Sequence, residues 1–391
     1  MFLKRLNALD GLRAIAILLV LLSHLMPDHG SSHGLGSLIF KVRALGWSGV
    51  DLFFVLSGFL ITGILLRAKA SNSPLRYFLM RRILRILPAY YFALCSVFLF
   101  LPFLLRLYPV PAMSAQAPFW LYAANMQLDA LPDLGGYFKV AHFWSLAVEM
   151  QFYLLWPLVI YRLTPDTVWK VGLALLVLIV LGRIIAVFMD VNPQVTFAWI
   201  PFRADGLIVG SLIAVALHAG VLYERVRPAV LLTVVGGFIF AGLLTWFGMT
   251  APLFSTKGYP LTYLVLRIVL PCALSVVYGA VLWVSLQRNL FSAFLSSPVF
   301  KPLALYSYGI FIIHNLLRPI FENTFGPQIL VRWTGGHDAS VYLYFVLSSS
   351  ISFVLAMASY HLIEIHFLRL KSNFSISAKP SANITAQAAP A

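Results

Sequence analysis

Long apolar runs recur along this chain and constrain its fold more than any other feature. Ten segments each hold roughly the twenty mainly apolar residues that an α-helix needs to cross a bilayer. Lipid offers no water to backbone polar groups, and a helix satisfies these groups internally. The predicted spans are Leu9–Met26, Gly46–Leu66, Ile83–Leu105, Ala141–Tyr161, Val168–Met189, Phe202–Ala219, Ala229–Gly248, Leu261–Leu286, Pro302–Pro319 and Val341–Leu368. We therefore predict an all-α integral membrane protein, a bundle of about ten transmembrane helices.

Composition supports the same class, because 61% of the 391 residues are hydrophobic and only 10% are charged. Soluble domains carry about 25% charged residues, so a soluble globular fold is excluded. No small-residue cleavage site follows the first apolar run, and we expect this segment to be retained as a span. Residues 1–370 are predicted to form one transmembrane domain. The small, polar residues 371–391 are predicted to be a disordered cytoplasmic tail.

Positive charge is distributed unevenly between the two sets of loops. Seventeen of the 28 Lys and Arg residues lie in one set and at most eight in the other, while Arg13, Arg183 and Arg267 lie inside spans. The richer side is cytoplasmic by the positive-inside rule, which places both termini there. The net charge of +15 follows largely from this bias and suits contact with anionic membrane lipid. It requires no nucleic-acid partner.

Two ionisable residues, Arg13 and His24, lie on the first apolar segment. Eleven positions correspond to three helical turns plus about 20°, so both side chains point along one face, about 16 Å apart. Ionisable groups at membrane depth are costly to bury, and they usually line a cavity or a relay. This pair is the first candidate for the chemistry of the protein.

A second polar stripe lies on the fourth predicted span, where His142, Ser145 and Glu149 share one helical face. A carboxylate at this depth should face protein or water and should have a partner. Glu149 could serve a reaction, or it could pair with an arginine of another span to hold helices together. The possible partners are Arg183, Arg203 and Arg267.

A third cluster, Arg81, Arg82 and Arg85, lies at the cytoplasmic foot of the third span. The planar guanidinium fork suits phosphate oxygens, so these side chains could bind a phosphorylated substrate. Anchoring to anionic headgroups explains the same cluster equally well. The spacing alone leaves both interpretations open.

Seven motifs follow one another between Leu9 and Phe367, and together they resemble one family. They are LDGLRAIAILLVLLSH, GVDLFFVLSGFLIT, RRILRILPAYY, FWSLAVEMQFYLLWPL, RADGLIVGSLIA, SYGIFIIHNLL and YHLIEIHF. In this order they are similar to the membrane-bound acyltransferase-3 family, whose bacterial members O-acylate surface polysaccharides, nodulation factors and macrolides. The SGNH-type domain that often follows this region is missing from the sequence, so the resemblance implies a stand-alone form in the bacterial inner membrane.

The resemblance also implies roles for individual residues. It implies a cytoplasmic acyl-CoA donor, most simply acetyl-CoA, and a carbohydrate or small-molecule acceptor reached from the other side. The catalytic residues implied are Arg13, His24 and Glu149, and the donor-binding residues implied are Arg82 and Arg85 of the Arg-x-x-Arg motif. We expect Arg81, which belongs to the same cluster, to bind the donor with them. The residues expected to bind substrate are His142, Trp144, Ser145 and His314.

We therefore predict an integral membrane O-acyltransferase. His24 would act either as general base toward the acceptor hydroxyl or as carrier of a transient acyl group. Glu149 could set the tautomer of His24, assist proton removal or bind the sugar. The sequence contains no P-loop and no His-Glu-x-x-His motif, so we expect no metal. The oligomeric state is left open.

Two other classes of function use the same residues. A proton-coupled transporter could employ Arg13, His24 and Glu149 as a relay, although the chain shows no internal repeat of the kind typical of transporters. A scaffold without chemistry would have little reason to bury several ionisable groups.

Overall fold

The computed structural model describes residues 2–27, 34–105, 111–127, 138–221, 227–237 and 261–374. Helices dominate these ranges, and no β-strand occurs within them. The longer helices, numbered here in chain order, are α1 Phe2–Leu25, α2 Gly49–Ala70, α3 Leu75–Cys95, α4 Phe143–Arg162, α5 Pro165–Phe188, α6 Asp205–His218, α7 Leu261–Ser285, α8 Phe300–Leu316 and α9 His337–Ser359. The predicted all-α class is confirmed.

Shorter helices connect or extend the long ones. They are Gly34–Leu45, Met113–Trp120, Pro193–Ala198, Ile200–Arg203, Arg227–Gly237, Leu290–Leu295, Arg318–Phe325 and Pro327–Thr334. A π-helical turn, Ser96–Phe100, continues α3 into Leu101–Leu105. Another, Tyr360–Glu364, continues α9 into Ile365–Arg369 and the short helix Leu370–Phe374. This last helix contains the first residues of the predicted tail, and residues 375–391 lie outside the described ranges.

Within the described ranges, seven helical stretches are long and apolar enough to cross a membrane. They correspond to seven of the ten predicted spans. The sixth and ninth predicted spans coincide with the shorter helices α6 and α8. The seventh begins in the helix Arg227–Gly237 and continues into residues outside the description. The total of ten spans therefore stays a prediction.

Helix α1 lies at the centre of the bundle, where it contacts α2 and α8. Its apolar side chains are buried on several sides, among them Leu12, Ile17 and Val20. By contrast, α5 exposes Val177 and Leu178 on its outer face, as a lipid-facing helix does. The central position of α1 explains how the polar residues on it come to face protein.

Helices α2 and α6 approach each other closely through two glycines. A Cβ atom at Gly58 would lie 1.9 Å from the carbonyl oxygen of Leu207, and one at Gly210 would lie 1.9 Å from that of Val55. Side chains larger than hydrogen would force the helices apart at both points. Small residues serve this purpose in membrane helix pairs.

Candidate active site

One cavity, named here the arginine cavity, opens among α1, α2, α3, α4 and α8. It encloses about 850 Å³ of space, part of it open to the outside. Its polar lining comprises Arg13, Ser57, Arg82, Arg85, Ser145, Glu149, Tyr153, Ser307 and Tyr308. Three guanidinium groups therefore face one carboxylate, which makes the cavity an attractive site for an anion.

The three arginines of this cavity differ in their partners. Arg13 forms an ion pair with Asp10 one turn earlier on α1, with 3.0 Å between Nη1 and Oδ1. The guanidinium of Arg82 lies 5.7 Å from the centre of the Phe78 ring, and its buried Nε makes no hydrogen bond to a described residue. Glu364, from the extension of α9, acts electrostatically on Arg85. Among the described residues, Arg82 thus lines the cavity without an ion-pair partner of the kind that Arg13 has in Asp10.

Glu149 is held by two hydroxyl donors inside the arginine cavity. The hydroxyl groups of Ser57 on α2 and Tyr153 on α4 both donate to Oε1 of its carboxylate. The charge of Glu149 also acts on Arg82. The carboxylate therefore faces a cavity rather than a helix–helix seam.

Glu149 does not form the ion pair between helices that was its alternative role. The three arginines considered as its partners, Arg183, Arg203 and Arg267, interact with other carboxylates. Arg203 lies 2.5 Å from Asp51, and Arg183 lies 2.9 Å from Asp205. Arg203 also approaches Asp205, with a longer contact of 3.8 Å. These four side chains form a buried ion network. The carboxylate that acts on Arg267 is that of Asp190.

A second cavity, named here the histidine cavity, lies further along α1. It encloses about 720 Å³, also partly open, and it is lined by Val20, Ser23, His24, Trp47, Val50, His142, Trp144, Ser145, Phe197 and Phe311. Aromatic rings beside polar groups offer both stacking and hydrogen bonding to a sugar. The three predicted residues His142, Trp144 and Ser145 line this cavity together with His24.

His24 forms a hydrogen-bonded pair with His314 of α8. Nδ1 of His24 lies 2.8 Å from Nε2 of His314, and the two rings stack with centres 5.1 Å apart. The other nitrogen of His314, Nδ1, lies 3.0 Å from the carbonyl oxygen of Ile310. A carbonyl only accepts, so Nδ1 of His314 carries a proton, and Nε2 is the acceptor when the ring is neutral.

The tautomer of His24 follows from this pairing. Nδ1 of His24 has to donate to His314, which leaves Nε2 of neutral His24 without a proton. An unprotonated ring nitrogen is what a general base or a nucleophile requires. Glu149 is not the residue that sets this tautomer, because the Nδ1 partner is His314.

His142 is fixed by a separate set of contacts. Its Nε2 donates to the carbonyl oxygen of Ile312 at 3.1 Å, and its Nδ1 accepts from the side-chain amide of Asn315 at 3.3 Å. Both nitrogens are engaged, so His142 is less suited than His24 to take up a proton. Its ring edge faces His314 and helps to hold the histidine pair in place.

The structure brings the predicted residues together in two groups rather than one. Arg13, Arg82, Arg85 and Glu149 share the arginine cavity, and His24 lies in the histidine cavity. Glu149 is not among the residues that line the histidine cavity, and His24 is not among those that line the arginine cavity. Helix periodicity defines the face of the helix that each residue occupies. It does not show at which depth of the bundle that face contacts another helix.

Two further predicted residues lie outside these cavity linings. Arg81 donates to the backbone carbonyl of Phe374 at 3.3 Å and does not line the arginine cavity. His314, predicted to bind substrate, contacts His24 instead of lining either cavity. Their assignments as ligand-binding residues stay predictions that the geometry does not favour.

Sequence reasoning missed Ser57, Tyr153 and Asp51. Tyr153 lies four positions after Glu149, a spacing that places two side chains side by side on a helix. This spacing could have predicted the hydrogen bond between them. Ser57 and Asp51 reach their partners from other helices. No local pattern indicates such contacts.

Comparison of the sequence with known proteins finds relatives among O-acetyltransferases. A family model described as an acyltransferase domain matches residues 6–361. The chain is 27% identical to the peptidoglycan O-acetyltransferase OatA of Listeria monocytogenes, over 92% of this chain and 55% of the relative. It is 26% identical to the O-acetyltransferase OatA of Staphylococcus aureus, over 92% of this chain and 57% of the relative. The chain thus spans a little over half the length of these relatives.

No solved structure matches the chain, so the family assignment depends on sequence alone. The matched region contains every helix that lines either cavity, from α1 to α8. Because the match covers most of the 391 residues, the chain belongs to the acyltransferase-3 family of membrane-embedded proteins.

Proposed function

We propose that this protein transfers an acetyl group from acetyl-CoA to a hydroxyl group of a carbohydrate. The observation that supports this most strongly is the pair of adjoining cavities, one lined by three arginines and the other by His24. Arginine forks suit the phosphates of CoA. The aromatic and polar lining around His24 suits a sugar ring.

In this mechanism Arg13, Arg82 and Arg85 bind the phosphate groups, and the thioester extends toward His24. Nε2 of His24 accepts the proton of the acceptor hydroxyl while the hydroxyl oxygen attacks the thioester carbonyl. The tetrahedral intermediate collapses to the acetyl ester and the CoA thiolate. The protonated His24 then returns the proton to the thiolate sulfur, which leaves the enzyme unchanged.

His314 contributes by accepting from Nδ1 of His24 throughout this cycle. A histidine that becomes cationic during the reaction gains from a neutral acceptor at its other nitrogen, because the charge is then partly shared by a hydrogen bond. The His24 ring therefore keeps one orientation while its Nε2 gains and loses a proton.

The acceptor belongs to the class named for the relatives, a cell-wall glycan such as peptidoglycan. The Listeria relative is named a peptidoglycan O-acetyltransferase.

We propose that the protein lies in the inner membrane with both termini in the cytoplasm, in keeping with the charge distribution. A reporter fused at Ala391 should then be active in the cytoplasm, whereas one inserted at Gly335 should be active outside.

The decisive experiment uses the detergent-purified full chain with radiolabelled acetyl-CoA and a soluble glycan fragment. Wild-type protein should produce a labelled ester, and His24→Ala should reduce its rate by at least the roughly 10²-fold that general-base loss causes. His218→Ala, the same change at an exposed histidine of α6, is the matched control and should transfer normally.

The same assay separates a base from an acyl carrier. If His24 acts as base, no label stays on the protein when acceptor is omitted, and the kinetics are sequential. A labelled protein with ping-pong kinetics would instead indicate an acetyl-histidine intermediate. Near-normal transfer by His24→Ala would contradict both roles for His24.

A further inference from the structure

The two cavities meet at three side chains that line both of them. These are Val50 of α2, Ser145 of α4 and Phe311 of α8. No other residue lines both cavities in the part of the chain that the structure describes. On one side of this junction lie the arginines and Glu149, and on the other lies His24.

All three junction side chains are held in place by their surroundings. Their exposed fractions are 8% for Val50, 3% for Ser145 and 6% for Phe311. The hydroxyl of Ser145 donates to the carbonyl oxygen of His142 at 3.1 Å, which turns it back onto its own helix.

Phe311 is confined by three neighbouring rings. The centre of its ring lies 6.3 Å from that of Phe53, 5.5 Å from His142 and 5.6 Å from His314. Its ring therefore packs against both histidines as well as Phe53. Tightly packed interiors resist rearrangement, so we expect this side chain to keep its position at the junction.

The proposed function determines what has to reach this junction. Arg13 and His24 are separated by about 16 Å along α1, and the acyl group of acyl-CoA lies at the end of the molecule remote from its phosphates. When the arginines bind the phosphates of the donor, its acyl group therefore reaches the junction before it reaches His24. The carbonyl carbon has to come within reach of the acceptor bound beside His24.

From this arrangement we infer that Val50 and Phe311 set the length of the acyl chain that the enzyme transfers, admitting acetyl and excluding longer chains. This inference rests on the proposed function. Each additional methylene would have to fit between two buried apolar side chains, and overfilling a packed site is unfavourable. Discrimination by one methylene in an apolar site is roughly 10- to 200-fold, which is sufficient to restrict an enzyme to short acyl groups.

The test measures the ratio of butyryl to acetyl transfer for each variant, with the two CoA donors competing in one preparation. A ratio does not depend on how much of the protein is folded, so partial loss of stability does not obscure it. Val50→Ala should raise the ratio about tenfold or more. Phe311→Leu, which retains an apolar side chain beside the histidines, should raise it in the same direction.

Two further variants sharpen the comparison. Val50→Ile adds one methylene at the junction and should lower the ratio of propionyl to acetyl transfer. Val55→Ala is the matched control, since it shortens the same side chain on the same helix. Val55 is buried in a hydrophobic cluster that includes Val209 and Ile213 of α6, and it lines neither cavity. The ratio for this variant should equal that of the wild type.

The inference is overturned if Val50→Ala and Phe311→Leu both transfer acetyl groups with the wild-type ratio. A wild-type protein that transfers butyryl as fast as acetyl overturns it as well. These results leave the proposed function intact, because acetyl transfer is still observed. Failure of the wild type to transfer any acyl group would instead contradict the proposed function, and this inference with it.

Discussion

Nδ1 of His24 and Nε2 of His314 lie 2.8 Å apart although 290 positions separate them in the sequence. The contact joins α1, near the beginning of the matched region, to α8, near its end. It brings together, from two distant helices, the two histidines that the proposed mechanism uses.

The first prediction concerns this pair. His314→Leu removes the acceptor for Nδ1 of His24, so the ring can rotate or change tautomer, and kcat should fall by roughly 10²- to 10⁴-fold. The KM for acetyl-CoA should change little, since the arginine cavity is untouched. His314→Gln offers a carbonyl oxygen near the former Nε2 and should restore part of kcat. Equal losses in Leu and Gln variants would reduce His314 to a packing residue.

The second prediction separates phosphate binding from lipid anchoring by the arginines. Arg82→Ala and Arg85→Ala should each raise the KM for acetyl-CoA by roughly 10- to 150-fold, since a hydrogen bond to a charged group contributes about 1.5–3 kcal/mol. Lysine should restore little because it lacks the planar fork. Arg81→Ala is the neighbouring control, as Arg81 contacts Phe374 outside the cavity.

A donor without phosphates provides the internal check on this prediction. With acetyl-pantetheine, which lacks the nucleotide and its phosphates, the Arg82 and Arg85 variants should lose little relative to the wild type. If they lose as much as with acetyl-CoA, the arginines act on insertion or stability and not on the donor.

The third prediction concerns Glu149 and the hydroxyl donors that hold it. Tyr153→Phe removes one donor and should lower kcat/KM, but it should do so less in a Glu149→Gln background, where the carboxylate charge is already missing. Neighbours within one network typically couple by about 0.5–3 kcal/mol. Tyr161→Phe on the same helix loses a hydroxyl that donates to the carbonyl of Ser73, and its effect should be additive with Glu149→Gln.

The fourth prediction concerns the buried ion network. Asp51→Ala leaves Arg203 with only the longer 3.8 Å contact to Asp205, at a site where the Asp51 and Arg203 side chains are at most 1% exposed. Removing one partner of a buried pair costs about 3–5 kcal/mol, so the thermal unfolding temperature in detergent should drop markedly. Asp166→Ala breaks the exposed pair with Lys170 and should leave that temperature nearly unchanged. Similar drops for both variants would contradict a special role for the network.

Local sequence patterns were sufficient to establish the class of fold and the positions of the polar stripes. Apolar runs of bilayer length predict helices because lipid leaves backbone groups no other partner. The helical period places Arg13 and His24 on one face of α1. Arg13 lines the arginine cavity and His24 lines the histidine cavity. These properties depend on neighbours a few residues away, which the sequence displays directly.

Only the tertiary structure decided which faces meet, and at what depth. Ser57 reaches Glu149 from another helix, Asp51 reaches Arg203, and His24 meets His314 and not Glu149. A face is fixed by periodicity, but its partner depends on how helices shift and rotate as their side chains interlock. The close approach at Gly58 and Gly210 is one such constraint. For this reason the sequence indicates candidate residues for the chemistry, while the packing alone divides them between two cavities that share Val50, Ser145 and Phe311 in their linings.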